Sequence, residues 1–150
     1  MYHFGYGSNL SSAYTRKLLP SAKFFMKAFL PNFSVQFQFW SETHQSGLSN
    51  IAIDPGQMVH GVLFKVPENE MILLDEMDGV FKGQYQRETF LVLGEDGKCY
   101  PADLYRVIQP GGPFTPSRSY VEIMLMGARE HGLDPEYINK IQEFYDQGQS

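Results

Sequence analysis

Two short stretches of the 150-residue chain hold the residue types from which a site can be made. In Gly5-Tyr6-Gly7-Ser8-Asn9-Leu10 the glycines permit a tight turn with close backbone approach. Ser and Asn then precede a helix whose free amides would point at an anion held there. The same residues also suit an ordinary helix N-cap with no ligand, and Leu10 stands where a dinucleotide fingerprint has its third glycine. The second stretch, Asp75-Glu76-Met77-Asp78-Gly79, sets three carboxylates in four positions at a helix C-terminus. There the helix dipole disfavours negative charge and raises proton affinity, which suits a general base; a solvated acidic helix end has the same composition. Tyr85 and Arg87, two apart on one face of the next strand, either line the same site or cap a barrel end.

Other chemistries are disfavoured. There is no G-x-S-x-G, Cys99 is alone, and His3, His44, His60 and His131 are scattered without ligand spacing, which argues against a serine or cysteine hydrolase and against a metal centre. His60, in an apolar strand, reads as a satisfied core histidine. A net charge of −5 with no long basic run disfavours nucleic acid. No apolar stretch approaches the roughly 20 residues that cross a bilayer, so a membrane partner is not expected. The single cysteine, and a start without a basic and apolar leader, point to a soluble protein in the cytoplasm. With 43% hydrophobic and 15% aromatic residues, 1–150 is expected to form one domain.

The elements that must position these residues follow from periodicity and punctuation. Met1–Gly7 reads as a strand, followed by a helix over Ser11–Leu19 that Pro20 stops. Ala22–Phe29 and Phe33–Trp40 read as a hairpin across Pro31-Asn32, followed by a polar loop over Ser41–Ser49. Strands are then expected over Asn50–Ile53 and Met58–Val66, a helix from Pro67 to Gly79, and a hairpin of Gln84–Leu93 with Cys99–Val107. Helices over Ser119–His131 and from Asp134-Pro135 to about Tyr145 complete the chain. That makes about seven strands. Short turns between strands favour an α+β fold, a mixed and mainly antiparallel β-barrel with flanking helices.

Taken together, Tyr6-Gly7-Ser8-Asn9-Leu10, Leu74-Asp75-Glu76 ahead of Gly79, Tyr85 with Arg87, and the late Met126-Gly127-Ala128-Arg129-Glu130-His131-Gly132-Leu133 resemble the γ-glutamylcyclotransferase family, in the family's order. The resemblance runs from about Tyr2 to Ile141. It implies a small mixed barrel and release of a γ-glutamyl group as 5-oxoproline, chemistry of glutathione metabolism that is named variously as transferase or lyase. The substrate's own α-amine attacks its γ-carbonyl, so no cofactor, metal or activated serine is required. The family's loop implies that Tyr6, Gly7, Ser8, Asn9 and Leu10 bind the γ-glutamyl portion, with Tyr85, Tyr105 and Tyr120 around the pocket; Tyr105 suits the core equally. The family's base is a glutamate directly before the glycine of the acidic segment, and here that position is Asp78. Asp is one methylene shorter, about 1.5 Å at full extension, which implies slow turnover. Glu76, about 200° around the helix from Asp78, is a poor substitute unless the helix has ended. Two alternatives stand beside the cyclotransferase. One is a non-catalytic protein binding a γ-glutamyl metabolite or small carboxylate. The other is a relative that transfers or removes a γ-glutamyl protecting group from a biosynthetic amine. The leaving group is left open, as is oligomeric state, a homodimer included.

Overall fold

The computed structural model describes residues 1–150. Strands β1 (Tyr2–Gly5), β2 (Lys23–Ser41), β3 (Ser46–Lys65), β4 (Tyr85–Gly94) and β5 (Cys99–Val107) close into a barrel in the order β1-β3-β2-β4-β5. Neighbours are antiparallel except β1 and β5, which run parallel and meet at His3 and Asp103. This is the mixed, mainly antiparallel barrel expected from the short turns, with helices α1 (Ser12–Leu18), α2 (Glu68–Met77), α3 (Arg118–Glu130) and α4 (Pro135–Gln147) around it. Phe4, Phe37, Ile51, Leu63, Phe64 and Leu104 are fully buried, and each such side chain contributes about 1.5–3 kcal/mol of transfer free energy. No helix is long and apolar enough to cross a membrane.

The strand count differs from the expected seven because two pairs of short strands are single long ones. Pro31-Asn32 does not turn the chain. Pairing runs from Pro31 opposite Met58 directly to Phe33 opposite Ile53, so Asn32 and Asp54–Gln57 form a bulge inside a continuous β2–β3 ladder. Asn32 adopts φ 66, which Asn tolerates, and its Oδ1 accepts the Gly56 N–H at 3.1 Å. The real reversal lies at residues 42–45, where Gln45 has φ 50. Only those four residues remain of the loop expected over Ser41–Ser49, since Ser46–Ser49 pair with β2.

Helix starts follow their caps. Ser11, Ser117 and Asp134 accept the N–H of Tyr14, Tyr120 and Tyr137 respectively. Between β1 and α1, however, Ser8–Leu10 form a separate 3₁₀ turn, so a half-buried turn stands between the strand and the α1 N-terminus. α3 lies against it from behind. A Cβ at Gly127 would collide with the Leu10 carbonyl and the Ser11 nitrogen, so only glycine allows this approach. His60 is half-buried rather than a core residue, stacked on Tyr137 with ring centroids 4.4 Å apart.

Candidate active site

At one end of the barrel the β1–α1 turn, the end of α2 and the tip of the β2–β3 hairpin enclose a cavity of about 320 Å³. Tyr6, Gly7, Ser8, Asn9, Asp78, Tyr85, Tyr105 and Tyr120 all line it. Leu10 does not: its side chain is fully buried in the core, so it anchors the turn and does not face a ligand. Arg87 is not on the cavity wall either. Its Nε lies 3.1 Å from Asp75 Oδ1 and its Nη1 lies 3.2 Å from Asp103 Oδ2, so it ties α2 to β5.

The turn is built by close approach. Gly7 has φ −110 and ψ −125, and a Cβ there would stand 2.8 Å from the Tyr120 hydroxyl and run into Ser49 Oγ. Leu10 N–H donates to the Gly7 carbonyl and Ser11 N–H to that of Ser8, while Ser8 N–H reaches the Tyr120 hydroxyl at 3.4 Å. The N–H groups of Tyr6, Gly7 and Asn9 find no acceptor in the protein. Unpartnered N–H groups around one turn are the kind of donor that can receive a carboxylate.

Across the cavity, α2 ends as its sequence dictates. Asp78 N–H donates to the Leu74 carbonyl, Gly79 N–H to that of Glu76, and Gly79 adopts the left-handed conformation at φ 71. The two aspartates of this segment then have different fates. Asp75 is buried and committed, accepting from Arg87 and, at 2.6 Å, from the Tyr105 hydroxyl. Asp78 receives no hydrogen bond from any protein group. Burial, and secondarily the charge of Asp75, push its carboxyl from 3.8 up to about 7. The expected cause was the helix dipole, but desolvation leads. Glu76 also lines the cavity, although it lies within α2 two residues before Asp78.

Four tyrosines surround the acid. The Tyr6 hydroxyl donates to the Tyr105 carbonyl at 2.6 Å, and the Tyr85 hydroxyl donates to the Ser49 carbonyl at 2.7 Å. Burial raises the pKa of all four, and the Asp78 charge adds to the shift in each, which puts this carboxylate within electrostatic reach of the whole ring. The Tyr120 hydroxyl and Ser49 Oγ are 2.8 Å apart. Whichever donates, one hydroxyl proton of that pair stays free for a ligand oxygen. Ser49 and His3 belong to this site although neither stood out in the sequence. Ser49 lies in what read as a polar loop, and His3 was an isolated histidine.

Residues 58–141 match the model of the AIG2-like family. Gamma-glutamylcyclotransferases from Homo sapiens and Bos taurus are 35% and 33% identical over 144 and 143 residues, each match covering 93% of this chain and 76% of the relative. Among solved structures, a gamma-glutamyl cyclotransferase superposes with a TM-score of 0.89 at 34% identity, over 95% of this chain and 86% of the other. YkqA from Bacillus subtilis shares the fold at a TM-score of 0.86 and 22% identity, over 100% of this chain and 56% of its own. The closed mixed barrel is thus shared with these structures. The chain belongs to the γ-glutamylcyclotransferase family.

Proposed function

We propose that this protein is a cyclotransferase that releases 5-oxoproline from a γ-glutamyl amino acid or γ-glutamyl amine, with Asp78 as its base. The observation that carries this reading is the Asp78 carboxyl, free of any protein donor and poised near neutrality on the wall that also holds the turn amides. The α-carboxylate of the substrate rests on the N–H groups of Tyr6, Gly7 and Asn9, and the chain folds back so that its α-amine faces its own γ-carbonyl. Asp78 takes a proton from the amine, and the nitrogen attacks the carbonyl carbon. The free proton of the Ser49–Tyr120 pair steadies the oxygen on which charge develops. Asp78 then returns its proton to the departing nitrogen as the carbon–nitrogen bond breaks, and the carboxylate is restored. The nucleophile comes with the substrate, so ring closure is a matter of pose and one proton shuttle. The leaving group points to the mouth, where Phe39, Trp40, Leu48 and Met77 offer apolar surface. The cytoplasm is the proposed setting, consistent with the unpaired, exposed Cys99.

The test is incubation with a panel of γ-glutamyl amino acids and amines, with 5-oxoproline measured by mass spectrometry and EDTA as a control. Release from at least one compound, insensitive to EDTA, is expected. Binding of the panel without any release above the uncatalysed rate would replace the enzyme with a γ-glutamyl binding protein. No binding at all would overturn both.

A further inference from the structure

His3 stands on β1, three residues before the turn, and takes no part in the reaction above. It is 2% exposed, and both ring nitrogens are engaged: Nδ1 lies 3.0 Å from the Asp103 carbonyl oxygen and Nε2 lies 3.0 Å from Asn9 Nδ2. A carbonyl oxygen only accepts, so Nδ1 carries a proton. Burial holds the imidazole down to about 4, so the ring is neutral at pH 7 and Nε2 is bare. Only an N–H can face a bare ring nitrogen. The Asn9 amide must turn its NH₂ to His3, and its carbonyl oxygen is then directed away from the ring. That oxygen has no partner in the protein, and Asn9 lines the cavity.

We propose that His3 is a positioning residue that locks the Asn9 side chain with its carbonyl oxygen toward the cavity, making it an acceptor reserved for an N–H of the ligand. The inference rests on the γ-glutamyl reading and refines it. The unpartnered N–H groups of Tyr6, Gly7 and Asn9 are donors, suited to a carboxylate, whereas Asn9 Oδ1 is an acceptor, suited to an ammonium or amine. Donors and acceptor side by side recognise an α-amino acid end and discriminate against a ligand that has the carboxylate but lacks the amine. Without His3 the amide is free to rotate, and its NH₂ face would meet the ligand amine donor to donor.

Two measurements test this. In ¹⁵N-histidine-labelled wild-type protein without ligand, His3 should show a protonated Nδ1 and a bare Nε2, and should not titrate between pH 5 and 9. A proton on Nε2 at pH 7 overturns the proposal, whatever binds. The second measurement is ligand affinity by calorimetry in the Asp78→Asn background, which prevents turnover and removes the charge of Asp78 from the comparison. The probes are a γ-glutamyl amide and its glutaryl analogue, identical but for the α-amine. The amine-bearing probe should bind about tenfold to a hundredfold more tightly. His3→Phe should erase that difference while leaving the glutaryl affinity unchanged, and His3→Gln, which keeps a donor and an acceptor, should restore it. Equal weakening of both probes by His3→Phe, or a preserved difference, overturns the positioning role. If neither probe binds, the γ-glutamyl reading itself fails, and the His3 ring protonation still decides the lock on Asn9.

Discussion

Replacing Asp78 with asparagine should abolish 5-oxoproline release and at the same time stabilise the protein, by an amount that grows with pH. A carboxyl raised from 3.8 to about 7 is one that the fold holds protonated where the unfolded chain has already ionised. Between those two values the native state binds more protons than the unfolded state, so stability falls as pH rises. The destabilisation is absent below pH 3.8, builds through the interval, and is complete above pH 7, where it reaches on the order of 4 kcal/mol. Asparagine keeps the size of the side chain and removes the charge. Any packing cost of the substitution is the same at every pH, so the diagnostic quantity is the change between two conditions. From pH 5 to pH 8 the advantage of the variant should grow by about 3 kcal/mol. For a chain of this length that is an increase of about 5–10 °C in the difference between the two Tm values. Thermal unfolding of both proteins across pH 5 to 8 reads it directly. Parallel Tm curves would refute the reasoning, because they would mean that Asp78 titrates as a solvated carboxylate and is not a base poised near neutrality.

Asp78→Glu extends the carboxylate by about 1.5 Å toward the amine it must deprotonate and should raise kcat by about tenfold to a hundredfold; a lower kcat in steady-state assays would show that this cavity is shaped for the shorter acid. Gly7→Ala places a Cβ against Ser49 Oγ and the Tyr120 hydroxyl and should eliminate γ-glutamyl ligand binding by calorimetry, whereas unchanged affinity would remove the turn from the site. Asp75→Asn takes away a charge that raises Asp78 and that pairs with Arg87, so the rising limb of kcat/KM should move below pH 7 while Tm drops. A limb that stays in place would separate the two aspartates electrostatically.

Local signals in the sequence carried the ends of elements well, because the physics that ends them is local. Gly79 stops α2 by adopting a conformation that other residues resist, and Asp134-Pro135 opens α4 by capping it. What stayed hidden depends on partners distant in the chain. Pro31-Asn32 has the composition of a turn, and only the pairing of Phe33 with Ile53 converts it into a bulge within one strand. Tyr85 and Arg87 share a strand face, yet the first enters the cavity and the second leaves it for Asp75 and Asp103, a choice that no spacing rule contains. Leu10 belongs to the recognisable turn motif but serves the core. The juxtaposition of Asp78 with Tyr6–Asn9 was legible through the family resemblance and not through periodicity, since some seventy residues separate them.

The parallel contact between β1 and β5 sets a schedule for the molecule. The turn that lines the cavity takes its supports from far downstream in the chain: His3 meets Asp103 across a separation of 100 residues, and Ser8 meets Tyr120 across 112. β1 has one edge on β3 and the other on β5, so it stays half-paired until residue 107 is in place. Such distant closures come late, because each must overcome the entropy of the loop it shuts. The binding turn is therefore among the last parts completed, and affinity for ligand becomes a readout of barrel closure. A chain that has formed the β2–β3 hairpin but not yet docked β5 would have much of its sheet and no functional cavity.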